Sequence, residues 1–125
     1  MKIRIIGSMK FHDKYQEIKD RLKGKHEVII PLADEEYSNE DNPKRKSMED
    51  FNNDLENSDA ILVANYDKDD KPNYIGVNLI MEVGMAFNRE KKIFILNKTP
   101  ENCKEEFEAI GVITLNGNLE DIENA

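Results

Sequence analysis

The chain has little of what disulfide-linked or membrane-spanning proteins need. Its 125 residues contain one cysteine, Cys103, so no disulfide can form within the chain, and a reducing compartment is expected. The apolar run at residues 3–6 is too short for a signal peptide. No apolar run approaches the roughly 20 residues that a membrane-spanning helix needs. We therefore expect a cytoplasmic protein that does not insert into a membrane.

Basic residues are outnumbered by acidic ones. Lysine and arginine total 18 against 26 aspartates and glutamates, which gives a net charge of −8. A protein that binds nucleic-acid polymers or anionic membranes would present a basic face, so this balance argues against both. It leaves open a small anionic ligand held by local backbone N–H groups. The length suits a single domain spanning residues 1–125.

Motifs for metals and common cofactors are also missing. His12 and His26 lie far from any cysteine or acidic pattern with metal-ligand spacing. There is no P-loop, no serine-hydrolase elbow and no Gly-x-Gly-x-x-Gly dinucleotide fingerprint. We expect neither a metal nor an organic cofactor.

Strand-like and helix-like segments alternate along the chain. Short apolar runs predict five strands, at residues 3–6, 26–30, 60–64, 93–96 and 112–115. Helices are predicted between them, with Gly24 ending the first, a Ser47 cap beginning the second, and a Thr99 cap followed by Pro100 beginning the fourth. A short helix is predicted after the last strand. This alternation predicts an α/β, three-layer, flavodoxin-like or Rossmann-like fold with a five-stranded parallel sheet in the order 2-1-3-4-5.

The predicted strand order implies a ligand crevice between strands 1 and 3, beyond their carboxyl ends. Two loops meet there. One is Gly7-Ser8-Met9-Lys10, after strand 1, and the other is the segment 73–82, after strand 3. The polar segment 33–46 is interpreted either as a solvated loop or as a lid over the same edge.

Glu82 is the sharpest functional signal, because it lies in an otherwise apolar helix between Met81 and Val83. Burying an ionised carboxylate there is costly unless the carboxylate has a role. Near a helix N-terminus the dipole favours negative charge, so we expect an ionised nucleophile. Asp54 is the best candidate for a second carboxylate, and such pairs cleave glycosidic bonds. The alternatives are a Glu82 that reaches water or a salt bridge, and an Asp54 that is an ordinary surface acid.

The remaining candidate residues are ligand-binding ones. The loop at residues 7–10 can hold an anion through its backbone N–H groups and through Ser8 or Lys10, or it is a plain strand–helix turn. Gly76 allows the backbone to approach a ligand closely. Asn78 either caps the helix or orients a ligand hydroxyl, and Tyr74 either stacks on a base or covers the loop.

Three motifs together resemble the nucleoside 2-deoxyribosyltransferase superfamily. They are Ile6-Gly7-Ser8-Met9-Lys10, Asn53-Asp54-Leu55-(x)3-Asp59, and Gly76-(x)5-Glu82-(x)-Gly84-(x)-Ala86. The resemblance covers residues 3–97. The group includes transferases that exchange bases on deoxynucleosides and hydrolases that cleave deoxynucleoside 5′-monophosphates.

The resemblance implies a role for each matched position. Glu82 matches the nucleophile that attacks the anomeric carbon, and Asp54 matches the acid that contacts the leaving base or assists its protonation. Ser8 and its neighbours match the loop that holds the sugar 5′ end, where Lys10 hints at a nucleotide. Family members form dimers or larger assemblies in which a neighbouring subunit completes the site, so a homo-oligomer is expected.

Two positions depart from the family pattern. Gly76 stands where an aspartate or serine often contacts the sugar, and Ile5 is taken to stand where the transferases carry a tyrosine that orients the nucleophile. These departures favour hydrolysis, or binding without turnover, over base transfer. The alternative functions are a non-catalytic nucleotide-binding or sensing module and a phospho-receiver domain, for which Asp67 is the one supporting residue.

Overall fold

The structure, a computed structural model, describes residues 1–124. The strands are β1 (Lys2–Ile6), β2 (Glu27–Ile29), β3 (Ala60–Val63), β4 (Lys92–Ile95) and β5 (Ile113–Thr114). The α-helices are α1 (His12–Leu22), α2 (Pro43–Glu56), α3 (Val77–Asn88) and α4 (Glu101–Ala109). Short 3-10 helices cover Met9–Phe11, Asp34–Tyr37 and Leu119–Asn124. Within residues 1–124, none of the helices has the length and apolar content needed to span a bilayer.

The five strands form one parallel sheet in the order β2-β1-β3-β4-β5, which confirms the predicted fold. Helices cover both faces. Alternate residues of β1 point to opposite faces, so Ile3 and Ile5 pack into the core under α1, while Ile6 packs into the core under α2, α3 and α4. This alternation decides which side chains of β1 can reach a site on the α3 side.

Helix α2 begins earlier than the sequence pattern predicted. The predicted start at Ser47 is wrong, because Asn42 caps the helix with its side-chain oxygen, which accepts a hydrogen bond from the backbone N–H of Arg45 at 3.3 Å. Pro43 follows at the first helical position, where its missing N–H costs nothing. Asn followed by Pro was therefore the better start signal. The extra turn brings Lys44 and Ser47 onto the helix.

The other boundaries agree closely with the pattern. Gly24 comes directly after Lys23, the C-cap residue of α1. Its φ of +93° is a left-handed conformation that glycine adopts without strain. At α4 the cap is Pro100 rather than Thr99, so the predicted start is wrong by one residue. The last predicted helix forms as the 3-10 helix Leu119–Asn124.

Two asparagines, the buried Asn65 and the half-buried Asn97, join the carboxyl ends of β3 and β4. Asn65 is fully buried, and its side-chain oxygen accepts from the Asn97 backbone N–H at 2.9 Å. Its amide donates to the Lys98 carbonyl at 3.0 Å, and the Asn97 side chain donates to the Asn65 carbonyl at 3.0 Å. These bonds satisfy polar groups that would otherwise be buried without partners, and they close the sheet edge beside the crevice.

The loop after β1 is anchored by Tyr15 of α1. Tyr15 is fully buried, and its hydroxyl donates to the Ser8 carbonyl at 2.6 Å. The tyrosine lies directly against Gly7, where a Cβ would overlap the hydroxyl oxygen and would lie 3.0 Å from the Ala64 carbonyl oxygen. Glycine is required at this position because β1, β3 and α1 converge there.

We expect Gly7→Ala to lower the free energy of unfolding by about 1–3 kcal/mol, the usual cost of overpacking. Tyr15→Phe alone should cost about 1 kcal/mol through its lost hydrogen bond. The double variant should lose less stability than the sum of the two single losses, because the hydroxyl that clashes with the new methyl group is gone. Urea unfolding of the four proteins measures this coupling, and strictly additive costs would contradict the packing described.

Candidate active site

A cavity of about 440 Å³ lies beyond the carboxyl ends of β1 and β3. A volume of this size suits a small ligand. Seven of the nine predicted site residues line it: Gly7, Ser8, Met9, Tyr74, Gly76, Asn78 and Glu82. The two loops expected at this crevice therefore meet there. The N-terminal end of α3 supplies one wall, and the loop after β1 supplies the facing one.

Lys10 and Asp54 do not line the cavity. The Lys10 ammonium pairs with Asp69 at 2.6 Å, and both side chains are largely exposed on the outer side of the loops. The Asp54 carboxylate is directed at Arg4, whose Nε donates to Asp54 Oδ2 at 2.8 Å. The structure therefore does not bring the two predicted carboxylates, Glu82 and Asp54, together on the cavity surface.

Arg4 of β1 lines the cavity, and sequence reasoning missed it. Ile5, which was matched to the tyrosine position of the transferases, lies in the core under α1, because alternate residues of a strand face opposite sides of the sheet. Arg4 is only 4% exposed and lies on the cavity face together with Ile6. The available signal was a lone charged residue inside an otherwise β-branched strand.

Glu82 is the sixth residue of α3, in its second turn, and its side chain is half-buried. Burial raises its pKa from 4.5 to about 7, and the nearby positive charge of Arg4 acts in the opposite direction. Desolvation therefore opposes the ionised form that the helix N-terminus was expected to favour. A carboxyl group that titrates near neutral pH is suited to nucleophilic and proton-transfer roles.

The α2 side of the cavity carries polar residues that the sequence analysis did not select. Asp34, Lys44 and Ser47 line the cavity and also an adjoining hollow of about 290 Å³, which Glu82 borders as well. Asp34 and Lys44 belong to segment 33–46, which was interpreted either as a solvated loop or as a lid over this edge. It forms a 3-10 helix at Asp34–Tyr37 and the first turn of α2 instead.

Tyr74 lies on the opposite wall beside two lysines. Lys68 Nζ lies 4.7 Å from the centre of the Tyr74 ring, and Lys71 Nζ lies 5.5 Å from it. Gly76 packs under the Tyr74 hydroxyl, where an added Cβ would lie 3.0 Å from that oxygen. Lys68 therefore adds a second cation, besides Lys44, at the rim of the cavity.

The neighbouring Asp67 accepts a hydrogen bond from the Asn73 backbone N–H at 2.8 Å and is exposed. It lies four residues beyond the end of β3 and stabilises its own loop. This geometry is that of a turn residue, so Asp67 gives no support to a phospho-receiver domain.

The side chain of Ser8 serves the backbone and also borders the cavity. Its Oγ accepts from the Lys10 backbone N–H at 3.3 Å and caps the 3-10 helix Met9–Phe11. A serine hydroxyl that accepts one bond still has a proton to donate. Burial raises the pKa of the Tyr15 hydroxyl, with Tyr66 and Glu82 acting in the same direction, so this neighbour stays neutral.

Across residues 1–124, no three His, Cys, Asp or Glu side chains cluster as metal ligands do. The chain was compared with protein-family models and with curated proteins, and neither comparison found a match. The residues of the cavity therefore carry the functional argument.

We expect Glu82→Gln to change the pH dependence of stability. A carboxyl whose pKa is higher in the folded state binds its proton more tightly there, so the free energy of unfolding falls as pH rises from about 4.5 to about 7. Because glutamine does not titrate, the variant should be as stable as wild type near pH 5 and up to about 3 kcal/mol more stable near pH 8. Thermal or urea unfolding at both pH values measures this. Glu105→Gln, on the exposed face of α4, is the control. If the free energy of unfolding of Glu82→Gln fell with pH as much as that of wild type, the effect would be contradicted.

Proposed function

We propose that the protein is an N-glycosidase or 2-deoxyribosyltransferase-like enzyme that cleaves the N-glycosidic bond of nucleosides or nucleoside 5′-monophosphates. The observation that carries this proposal is the half-buried Glu82 carboxyl on a cavity shared with the loop after β1. The motif resemblance to the nucleoside 2-deoxyribosyltransferase superfamily supports the same chemistry. A cytoplasmic location fits the single buried cysteine, Cys103.

In the proposed reaction the ionised Glu82 carboxylate attacks the anomeric carbon of the sugar. A bond forms between a carboxylate oxygen and that carbon while the carbon–nitrogen bond breaks, and its electron pair leaves with the base, which takes up a proton. Water then attacks the same carbon and regenerates Glu82, or a second base does so in a transferase. No metal or organic cofactor is required.

The leaving base needs a proton donor, and two carboxyl groups are candidates. Asp54 has the role by motif resemblance, but its carboxylate binds Arg4. Asp34 lines the same cavity as Glu82. The side chain that borders the ligand space is the simpler donor, so we propose Asp34 as the alternative to Asp54.

The rim of the cavity favours an anionic group on the ligand. Lys44 and Lys68 both line the cavity, and Ser8 belongs to the loop that we propose for the sugar 5′ end. Lys10 itself is engaged by Asp69, so a 5′-phosphate would rely on the other two lysines rather than on Lys10.

A non-catalytic nucleotide-binding or sensing module is the second candidate. The observation that favours it is the Arg4–Asp54 ion pair. Because the Asp54 carboxylate binds Arg4, it is not directed at a ligand, although it was expected to assist the leaving base. It predicts saturable binding of a nucleotide without release of the base.

We also propose that the chain forms a homodimer through α3. Four large apolar side chains are exposed along this helix: Val77, Ile80, Met81 and Phe87. Gly84 lies among them, and nothing packs within 4 Å of the place where its side chain would be. A second copy of α3 would cover this surface, which reaches the cavity at Val77. This fits the resemblance to proteins whose subunits complete each other's sites.

The function is tested by incubating the protein with deoxynucleosides and their 5′-monophosphates and measuring free base by chromatography. We expect release from at least one member, reduced by at least about a hundredfold in Glu82→Gln. Intact-mass spectrometry should detect a deoxyribosyl adduct on wild type only. Unchanged release in Glu82→Gln would overturn the mechanism, and binding by calorimetry without release would favour the second candidate. Glu105→Gln is again the control.

Assembly is tested by light scattering and sedimentation over a range of protein concentrations. Phe87→Glu places a charge in the proposed interface, so we expect the dimer dissociation constant to rise at least about tenfold. Leu32→Glu is a matched control, because Leu32 is 49% exposed and Phe87 is 52% exposed, but Leu32 lies outside α3. A wild-type chain that stays monomeric at its highest soluble concentration would contradict the proposal.

A further inference from the structure

The side chain of Arg4 is a charge buried in the middle of a strand. It is 4% exposed, although its neighbours Ile3 and Ile5 are apolar core residues. Removing a guanidinium from water is unfavourable unless partners compensate for the lost hydration. Since Arg4 also lines the cavity, its partners determine how its guanidinium is oriented towards the cavity.

Three contacts fix the guanidinium of Arg4. Its Nε donates to Asp54 Oδ2 at 2.8 Å, and its Nη1 donates to the Ile5 carbonyl at 2.5 Å. Its central carbon lies 5.3 Å from the centre of the Phe51 ring, which is fully buried on α2. The planar group is therefore held from one side by α2 and by its own strand, and the cavity lies on the other side.

Glu82 is surrounded by titratable groups from every neighbouring element. They are Arg4 on β1, Tyr15 on α1, Asp34 and Tyr37 on the 3-10 helix, Lys44 on α2, and Lys68 and Tyr74 on the loop after β3. Lys44 is exposed and Lys68 is half-exposed, so water screens their charges. Arg4 is the buried cation of this set, and its charge lowers the pKa of Glu82 against the effect of burial.

We propose that Asp54 and Arg4 form a positioning pair for Glu82. Asp54 fixes the guanidinium at the floor of the cavity, and Arg4 supplies the positive charge that favours the ionised Glu82 carboxylate. Asp54 then acts through Arg4 and does not touch the ligand. This assignment deepens the proposed function, because it gives the second carboxylate a role other than proton donation to the base.

The direct test is an NMR titration of the Glu82 side-chain carboxyl carbon in the ligand-free protein, with the resonance assigned by its loss in Glu82→Gln. Removing the cation in Arg4→Met should raise the pKa of Glu82 by about 1 or more. Arg4→Lys keeps the charge without the planar fork and should give a smaller rise. An unchanged pKa in Arg4→Met would overturn the role of Arg4. Circular dichroism checks folding, and Arg4→Lys with the Asp54 variants still tests the pair if Arg4→Met does not fold.

The role of Asp54 is isolated by comparing Asp54→Asn with Asp54→Leu. Both variants remove the negative charge, but only asparagine keeps an oxygen that can accept from Arg4 Nε. If Asp54 anchors Arg4, the pKa of Glu82 should be higher in the leucine variant and should approach its value in Arg4→Met. Equal values in the two variants would overturn the anchoring role.

The titration needs no substrate, so its outcome is separable from that of the proposed function. If base is released, Arg4→Met should move the acid limb of the pH profile of kcat/KM upward by the same amount as it raises the pKa of Glu82. An Asp54 that protonates the base would instead lower kcat at every pH in Asp54→Asn, without moving the acid limb. If the pKa of Glu82 shifts as expected but no base is released, the positioning pair is supported and the proposed enzymatic function is rejected. If base is released but the pKa of Glu82 does not shift, only the positioning pair is rejected.

Discussion

The structure depends on how the first strand accommodates one buried cation. β1 lies between β2 and β3, and Arg4 in its middle is only 4% exposed. Arg4 is compensated by a carboxylate from α2, a backbone carbonyl from its own strand and an aromatic face from the same helix. These contacts tie α2 to the first strand at the cavity that Glu82 borders.

The fold could be predicted because it depends on signals that are local and repeated. Five short apolar strands separated by helical patterns leave few topologies open, and right-handed crossovers reduce them further. The position of the crevice could be predicted from strand order alone, because the order reverses between β1 and β3 and ligands bind beyond the carboxyl ends of strands at such a point. This is why the loop at residues 7–10 and the segment around Glu82 were expected on one surface before any contact was known.

The unpredicted parts depend on tertiary contacts that a one-dimensional pattern does not contain. Asp54 was expected to face a ligand because of its helix position, but the pattern could not say that Arg4 would bind it. The raised pKa of Glu82 was not foreseen, because the helix dipole can be inferred from the sequence whereas desolvation depends on three-dimensional packing. Lys44 was hidden by the late helix start assigned at Ser47, which a closer reading of Asn42-Pro43 would have corrected. Asp34 lies on a separate 3-10 helix that the polar pattern of segment 33–46 did not reveal.

The anchoring of the loop after β1 has a further consequence for how the cavity accommodates ligands. The buried Tyr15 hydroxyl and the tight packing at Gly7 hold this wall in one conformation. The α2 side is different, because residues 38–45, which lead into this helix and begin it, are exposed. Exposed segments open at a lower free energy than packed ones. We therefore expect differences in ligand size to be accommodated on the α2 side rather than at the loop after β1.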